Sequence, residues 1–328
     1  MFESVDKVVG HLADQDYICD KKIATVVFLA ERLEKPVLVE GPAGVGKTDL
    51  AKVVSRATGR HLIRLQCYEG LDEAKALYEW EYSKQLLYTQ ILKEKFSEAM
   101  AGAGSLREAA DRVGREDSVF FSERFIVARP LLKAITAEEP TLLLIDEVDK
   151  SDPEFEAFLL EILSDFQVTV PEVGTFEARQ KPLVFLTSNN AREMSDGLKR
   201  RCLHLFIDYP DEALERRILE TKIPGVDKRL VEDLVGTMQR LRQLDLKKAP
   251  SISETLDWAR ALLALNATEL DETLVSETLN VILKYEGDVR KAQAELSKLL
   301  VRKPAEGQGE APQAAAPVRP ALKKGVLH

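Results

Sequence analysis

The sequence predicts an α/β domain, in which a central parallel sheet lies between layers of helices, followed by a small all-helical domain. Short apolar runs alternate with stretches of helical periodicity up to about residue 210, and this alternation is typical of parallel sheets covered on both faces. One apolar run is joined to the next helix by a glycine-rich loop. Beyond residue 210, apolar residues recur only at helical spacing within charged sequence.

The first predicted elements are a helix that extends to about residue 35 and a strand that follows it. Ile23, Val27 and Ala30 recur at helical spacing, and Pro36 ends the helix. The predicted strands are residues 37–40, 61–66, 141–145 and 183–187. Together these segments define a first domain over residues 1–210.

The rest of the chain is predicted to form a helical domain and a disordered tail. Residues 211–302 carry leucines at helical spacing and hold no strand candidate. Residues 303–328 are rich in Ala, Pro, Gly and Gln, so they cannot bury enough apolar surface to become ordered. Residues 99–114 hold three glycines among several charges and are predicted to form a mobile excursion before the next strand.

Composition narrows the choice of partners. The chain has 328 residues, 45% of them hydrophobic, which suffices for two domains with their own cores. Its net charge of −9, from 46 basic and 55 acidic residues, leaves no global positive field for a nucleic-acid backbone. Nucleic acid is therefore disfavoured as a partner, although a local basic strip inside a ring pore stays compatible with this charge.

Cysteine spacing and the N-terminus predict a cytoplasmic protein. Cys19, Cys67 and Cys202 lie far apart, without the paired spacing of zinc sites, and are interpreted as reduced thiols. The first residues lack the basic and apolar regions of a signal peptide. No run approaches the roughly 18 apolar residues that a membrane span requires.

The glycine-rich loop fits the pattern G-x-x-x-x-G-K-[ST], which is typical of phosphate-binding loops. Its residues are Gly41, Pro42, Ala43, Gly44, Val45, Gly46, Lys47 and Thr48. Glycines let backbone N–H groups curve around phosphates, and the helix N-terminus adds partial positive charge. Lys47 is predicted to reach the β- and γ-phosphates of ATP, and the Thr48 hydroxyl to bind Mg²⁺. The alternative is a chance glycine-rich turn, which the strand and helix on either side disfavour.

Two carboxylates follow the apolar strand at residues 141–145. Asp146 and Glu147 stand at its carboxyl end, where open α/β sheets bind ligands. Asp146 is predicted to hold Mg²⁺ through water, and Glu147 to act as the general base for the attacking water. Alone, such a pair is more often part of a solvated loop, but the phosphate-binding loop upstream favours the catalytic interpretation.

Two further candidates follow the strand at residues 183–187. Asn189 places a neutral amide beside the other strand ends, where it can hydrogen-bond the γ-phosphate or orient water; a simple turn is the alternative. Arg200 and Arg201 belong to a basic cluster, which is either solvated charge or guanidinium offered across a subunit interface to a neighbour's γ-phosphate.

Five aromatic residues lie between positions 68 and 88, and they have two interpretations. They could form a surface that grips a substrate, or they could belong to the core. Aromatic side chains in an amphipathic stretch are more often core residues, so the core interpretation is favoured. The residues are Tyr68, Tyr78, Trp80, Tyr82 and Tyr88.

The order of the motifs GPAGVGKT, LLLIDE, LTSNN and LKRRC resembles that of AAA+ ATPases. The sequence is similar to the MoxR branch of that class, since residues 158–170 and 171–181 resemble its helix interrupted by an inserted hairpin, here near 167–182. Residues 65–73 and 78–80 resemble the CoxD-like group, which is associated with maturation of carbon monoxide dehydrogenase. The resemblance covers about residues 2 to 300.

The resemblance implies an AAA+ P-loop domain followed by a helical lid. Lys47 and Thr48 would be Walker A residues, Asp146 and Glu147 Walker B residues, and Asn189 the residue called sensor 1. Arg201 stands where the family has its trans-acting arginine finger, with Arg200 as a close alternative.

The lid departs from the family pattern. Related proteins commonly have an arginine near the start of the lid helix at residues 250–254, and this sequence has Ser253 there. Arg260, two turns along, is a candidate replacement.

The resemblance also implies a mode of action. The chain would assemble as a ring, in particular a hexamer, and use ATP and Mg²⁺ to remodel a protein client. A partner with a von Willebrand factor A domain would adapt the ring to a metalloenzyme awaiting maturation. Two alternatives stay open: an AAA+ motor that acts on nucleic acid, and a binding switch that hydrolyses nucleotide slowly.

Overall fold

The computed structural model describes residues 2–100, 105, 122–171 and 173–300. The predicted tail at 303–328 lies outside these residues, as does most of the excursion predicted at 99–114. Among the described residues, no helix is both long and apolar enough to cross a membrane.

The central sheet has five strands in the order β2-β5-β8-β1-β9, and every neighbouring pair is parallel. Its strands are β1 (Val37–Glu40), β2 (His61–Gln66), β5 (Thr141–Asp146), β8 (Leu183–Ser188) and β9 (Leu203–Phe206). The predicted parallel sheet between helices is therefore confirmed. Gln66 pairs in register with Asp146, and Glu40 with Ser188, so the carboxyl ends of four strands meet at one edge.

Helices cover both faces of this sheet. The helices of the first domain are α1 (Val5–Ala13), α2 (Lys21–Leu33), α3 (Lys47–Thr58), α4 (Glu73–Leu77), α5 (Tyr82–Met100), α6 (Pro130–Ile135), α7 (Pro153–Asp165) and α8 (Asp196–Arg201). Of these, α5 contributes no described residue to the cores beside the sheet and packs against residues 123–125. One apolar core lies between the sheet and α1 to α3, and a second lies between the sheet and α4, α6 and α7. Because both faces are covered, all six residues of β5 and of β8 are buried.

Some details of the first domain differ from the sequence prediction. The N-terminal helix is two helices, because the side chains of Ser4 and Asp20 each accept a backbone N–H and start a new helix. The edge strand β9 was not predicted, since two of its four residues are exposed and its apolar run is short. Two antiparallel ribbons lie outside the main sheet. The pairing of β3 (Tyr78–Trp80) with β4 (Ile126–Ala128) was not predicted, whereas that of β6 (Gln167–Val170) with β7 (Gly174–Glu177) lies within the hairpin predicted near 167–182.

The prediction that the five aromatic residues belong to the core is wrong for three of them. Tyr68, Tyr82 and Tyr88 are 48%, 70% and 40% exposed. Apolar side chains of α5 such as Leu86 and Ile91 are exposed as well, so spacing along the sequence did not identify a buried face. Tyr88 packs edge-on against Phe125.

After β9 the described residues form helices only. These are α9 (Glu212–Lys222), α10 (Lys228–Leu241), α11 (Ile252–Ala264), α12 (Glu272–Ile282), α13 (Glu286–Ala294) and α14 (Leu296–Leu299). They surround a third apolar core centred on Trp258, whose indole N–H donates to the Thr278 hydroxyl at 2.8 Å. A buried ion pair, Arg242 with Glu215, joins α9 to the end of α10.

Candidate functional site

The candidate site lies at the carboxyl edge of the central sheet. The loop after β1 is followed by α3, the end of β5 supplies Asp146 and Glu147, and the end of β8 leads to Asn189. These strands are neighbours in the sheet, so three sequence-distant motifs meet there. Such strand ends are where α/β sheets bind ligands.

The loop between β1 and α3 has three glycines with a positive φ, and at two of them a Cβ would also meet neighbouring atoms. Gly44 has a φ of +80°, and a Cβ there would lie 2.1 Å from the Ser251 hydroxyl oxygen. Gly41 has a φ of +147°, and a Cβ there would lie 2.0 Å from the carbonyl oxygen of Ile207. The loop ends where α3 begins at Lys47, so the free N–H groups of a helix N-terminus lie at the site.

Lys47 is a buried cation with neutral partners. Its side chain is only 5% exposed, and Nζ donates to Gly41 O at 2.7 Å, Pro42 O at 2.6 Å and Asn189 Oδ1 at 2.8 Å. Burial lowers the pKa of Lys47 to about 8, although nearby carboxylates oppose this effect. An anion beside Nζ would favour the charged form, so this position fits a phosphate group.

Thr48 and Asp146 fit a magnesium site. The Thr48 hydroxyl donates to Asp146 Oδ1 at 2.8 Å, and Asp146 is 2% exposed. The Thr187 hydroxyl donates to the same oxygen at 2.6 Å. Hydroxyl and carboxylate oxygens are the hard ligands that Mg²⁺ prefers, and it commonly retains several waters.

Arg64 on β2 is a member of the site that the sequence prediction missed. Its Nε and Nη2 donate to Asp146 Oδ2 at 3.0 and 2.5 Å, and Nη2 also donates to Gln66 Oε1 at 2.5 Å. β2 pairs with β5, so the arginine reaches across one strand spacing to the carboxylate. A charged residue among the apolar residues at the centre of β2 was the available signal.

Glu147 is held by three side chains. Its Oε2 accepts from Gln66 Nε2 at 2.8 Å and from Lys150 Nζ at 2.6 Å. Its Oε1 accepts from Asn189 Nδ2 at 3.3 Å. Its backbone has a φ of +57°, and its N–H donates to the Thr187 hydroxyl at 2.9 Å. Gln66, Lys150 and Thr187 were not predicted as site residues.

Asn189 connects the phosphate loop to the carboxylate pair. Its amide accepts from Lys47 and donates to Glu147, so one side chain contacts both. Its backbone N–H donates to Asp149 Oδ2 at 3.1 Å, and Ala191 N–H donates to the same oxygen at 2.9 Å. Asp149, 4% exposed and also missed by the prediction, thus fixes the loop that carries Asn189.

The structure does not bring Arg200 and Arg201 to this site within one chain. Both are exposed at the end of α8. Arg201 Nε donates to the Ser164 hydroxyl at 2.6 Å. Within the described part of the chain, the Arg200 side chain forms neither an ion pair nor a hydrogen bond.

The lid contacts the phosphate loop through Ser253. The Ser253 hydroxyl donates to Gly44 O at 3.0 Å, and its backbone N–H lies 3.3 Å from the same oxygen. Arg260 is exposed and pairs with Asp257 on its own helix at 3.1 Å, so it does not replace the missing arginine in this arrangement.

Comparison with known proteins identifies a matching family and several proteins of similar sequence. A family described as AAA domain (dynein-related subfamily) matches residues 36–202. An uncharacterised protein of Staphylococcus aureus is 25% identical over 240 residues, 71% of this chain and 77% of that protein. An uncharacterised protein of Staphylococcus epidermidis is 23% identical over 275 residues, 82% of this chain and 90% of that protein.

Solved structures with a related arrangement come from Thermotoga maritima. A mutant of RuvB is 16% identical, with a TM-score of 0.46 over 85% of this chain and 73% of that chain. The RuvB Holliday junction branch migration motor is 14% identical, with a TM-score of 0.43 over 85% of this chain and 72% of that chain.

Proposed function

Because the chain belongs to the AAA domain family, dynein-related subfamily, which matches residues 36–202, we propose that it binds Mg-ATP at the carboxyl edge of its sheet and hydrolyses it. One observation carries the proposal. Residues of three separate motifs meet there in two sets of side-chain hydrogen bonds, Lys47–Asn189–Glu147 and Thr48–Asp146. Arg64 and Gln66 link the two sets, because Arg64 donates to Asp146 and to Gln66, and Gln66 donates to Glu147.

The glycine loop and α3 would bind the phosphates. Backbone N–H groups at the N-terminus of α3 face an anion favourably, and Lys47 adds a full charge that its neutral partners do not neutralise. Thr48 and Asp146 would hold Mg²⁺ through their oxygens. A bound Mg²⁺ supplies positive charge against the charge on the β- and γ-phosphates.

Glu147 would act as the general base. It would accept a proton from a water whose oxygen attacks the γ-phosphorus, while the bond to the oxygen bridging the β- and γ-phosphorus breaks and ADP leaves. Asn189 already contacts Lys47 and Glu147, so its amide is positioned to orient that water. In the observed arrangement, Gln66 and Lys150 occupy Oε2, while Oε1 accepts only from Asn189 among the described residues and retains a lone pair for that water.

We further propose that the working unit is a homo-oligomeric ring, in particular a hexamer, with an arginine supplied by the neighbouring subunit. The exposure of Arg200 and Arg201 supports this, because neither belongs to the site of its own chain. Arg201 remains the first candidate from the motif order. Arg200 is the alternative, because its exposed side chain forms no ion pair or hydrogen bond with the described residues, which suits a residue offered to a partner.

The proposed client is a protein, by the resemblance to the MoxR branch. The negative net charge of −9 supports a protein rather than nucleic acid. The same proposal includes a partner with a von Willebrand factor A domain. It also includes a role for this chain in the maturation of a metalloenzyme. We propose a cytoplasmic location, which is supported by three buried, unpaired cysteines.

Subunit exchange tests the shared-site proposal. Homo-oligomers of Lys47→Ala and of Arg201→Ala should each be nearly inactive, while mixed oligomers should regain part of the ATPase activity. In a mixed ring, an Arg201→Ala subunit keeps its nucleotide pocket and receives an intact arginine from a Lys47→Ala neighbour. Activity that stays at the summed background, with mixed oligomers verified, would refute an arginine acting across the interface. If Arg201→Ala alone keeps full activity, the exchange is repeated with Arg200→Ala.

A further inference from the structure

The Asp146 carboxylate is saturated with protein hydrogen bonds. Oδ1 accepts from the hydroxyls of Thr48 and Thr187 at 2.8 and 2.6 Å. Oδ2 accepts from Nε and Nη2 of Arg64 at 3.0 and 2.5 Å. A carboxylate offers about four lone-pair sites, so these donors occupy all of them. A water bound to Mg²⁺ can therefore reach Asp146 only if one donor leaves.

The four hydrogen bonds are not equally replaceable. Thr187 is fixed from both sides, because its hydroxyl oxygen also accepts the backbone N–H of Glu147 at 2.9 Å. Thr48 stands in the first turn of α3, and its hydroxyl can bind Mg²⁺ while still donating to Asp146. Neither threonine has to leave when the metal binds.

Arg64 differs from the threonines because it is charged and because its side chain is free to move into solvent. Its side chain is 45% exposed, so it has room to move into solvent. It also has a second acceptor at hand, Gln66 Oε1 at 2.5 Å. Its positive charge repels any cation that approaches the same carboxylate. Arg64 is thus the donor that a metal ion displaces most readily.

We propose that Arg64 is a resident counter-ion of Asp146 that Mg²⁺ displaces, and that it thereby sets the Mg²⁺ concentration needed for tight nucleotide binding. Asp146 is 2% exposed, and a buried carboxylate without a cation is strongly destabilising. Arg64 satisfies this carboxylate before the metal arrives and competes with the metal afterwards. This inference rests on the proposed Mg-ATP site.

The experiment titrates free Mg²⁺ against binding of a fluorescent ADP analogue to the full chain. Arg64→Gln should lower the Mg²⁺ concentration at half-maximal effect by at least about tenfold, because it removes a charge-assisted pair of hydrogen bonds. Arg64→Lys keeps the charge but loses the planar guanidinium that donates two hydrogen bonds to Asp146. Its Mg²⁺ midpoint should therefore lie between those of the unsubstituted protein and Arg64→Gln. Arg129→Gln is the matched control, since Arg129 is also 45% exposed and pairs with a carboxylate, Glu79, in the β3–β4 ribbon.

A second measurement separates competition from a purely structural role. Without nucleotide and in EDTA, Arg64→Gln should melt at a lower temperature than the unsubstituted protein. Mg²⁺ alone should then raise the melting temperature of Arg64→Gln more than that of the unsubstituted protein. If Arg64→Gln does not fold in EDTA, Arg64→Lys carries both comparisons.

Two results would overturn the inference. One is an unchanged or raised Mg²⁺ midpoint in the Arg64 variants while they still bind the analogue. The other is an equal fall of the midpoint in Arg129→Gln. Absence of nucleotide binding by the unsubstituted protein at every Mg²⁺ concentration is a separate outcome, which would overturn the proposed function and this inference with it.

Discussion

Lys47→Met should change how the stability of the nucleotide-free protein depends on pH. The Lys47 ammonium is 5% exposed and donates only to neutral oxygens. Burial lowers its pKa from the ordinary 10.5 to about 8. Methionine fills a similar volume without a charge, so the variant removes this titration and leaves the rest of the fold in place.

The magnitude follows from linkage between proton binding and folding. The difference between 10.5 and about 8 corresponds to about 3 kcal/mol of destabilisation while the lysine is charged in both states. This cost is fully present below the folded pKa of about 8. It is lost as the pH rises toward 10.5, because the unfolded chain then also releases the proton.

The sign of the stability difference between the unsubstituted protein and Lys47→Met at a single pH does not test this argument. Lys47→Met also leaves three oxygens without their donor, at a cost of about 1 to 3 kcal/mol for each one that stays buried. That cost does not vary with pH. The free energy of unfolding of the unsubstituted protein should therefore rise relative to Lys47→Met by about 2 to 3 kcal/mol between pH 7 and pH 10.

Urea denaturation in EDTA at half-unit pH steps measures this difference. Other groups that titrate in this range are common to both proteins and cancel in the comparison. Lys52→Met is the control, because Lys52 is partly exposed on the same helix. Its difference in free energy of unfolding from the unsubstituted protein should stay constant within about 0.5 kcal/mol over this pH range. If the difference in free energy of unfolding between the unsubstituted protein and Lys47→Met also stays constant with pH, the argument that the buried cation lacks a counter-ion is refuted.

Three further predictions concern the loop and the lid. Gly44→Ala should lower nucleotide affinity at least about tenfold, because its φ is +80° and the new Cβ would meet Ser251 at 2.1 Å; unchanged binding would show that the loop shifts freely. Arg242→Met should lower the free energy of unfolding by about 3 to 5 kcal/mol, since it leaves Glu215, 0% exposed, without its cation. The double variant Arg242→Met/Glu215→Leu should recover most of the lost stability in the same urea assay. Ser253→Ala removes one hydrogen bond to Gly44, worth about 1 kcal/mol, and should weaken nucleotide binding less than about tenfold; a complete loss of binding would give the lid a larger role.

The phosphate loop and the strand ends could be predicted because chemistry dictates their residue types. A phosphate cradle needs glycines, a lysine and a hydroxyl at fixed spacing, and the sequence between Gly41 and Thr48 has them. Strands buried on both faces are continuously apolar, so β5 and β8 were recognisable from the sequence.

The contacts around those motifs could not be predicted in the same way. Arg64 and Gln66 belong to the site only because β2 pairs with β5, and strand order is a property of the whole sheet. Asp149 acts on the backbone of Asn189 from 40 residues away in the chain. Ser253 reaches Gly44 through the packing of the lid, which local periodicity does not encode.

Exposed aromatic residues show a different limit. Periodicity identifies a helix, but it does not say what covers each face. The core interpretation of Tyr82 and Tyr88 followed a general tendency of aromatic residues, and their exposure of 70% and 40% contradicts it.

The most direct test of the central claim compares the unsubstituted protein with Glu147→Gln in one assay of ATP binding and turnover. Glutamine keeps the size and shape of the side chain and one acceptor oxygen, but its amide cannot accept a proton from the attacking water. We expect unchanged ATP affinity in the presence of Mg²⁺ and turnover at least about a hundredfold slower. Near-normal turnover by Glu147→Gln would contradict the account, because another group would then serve as the base.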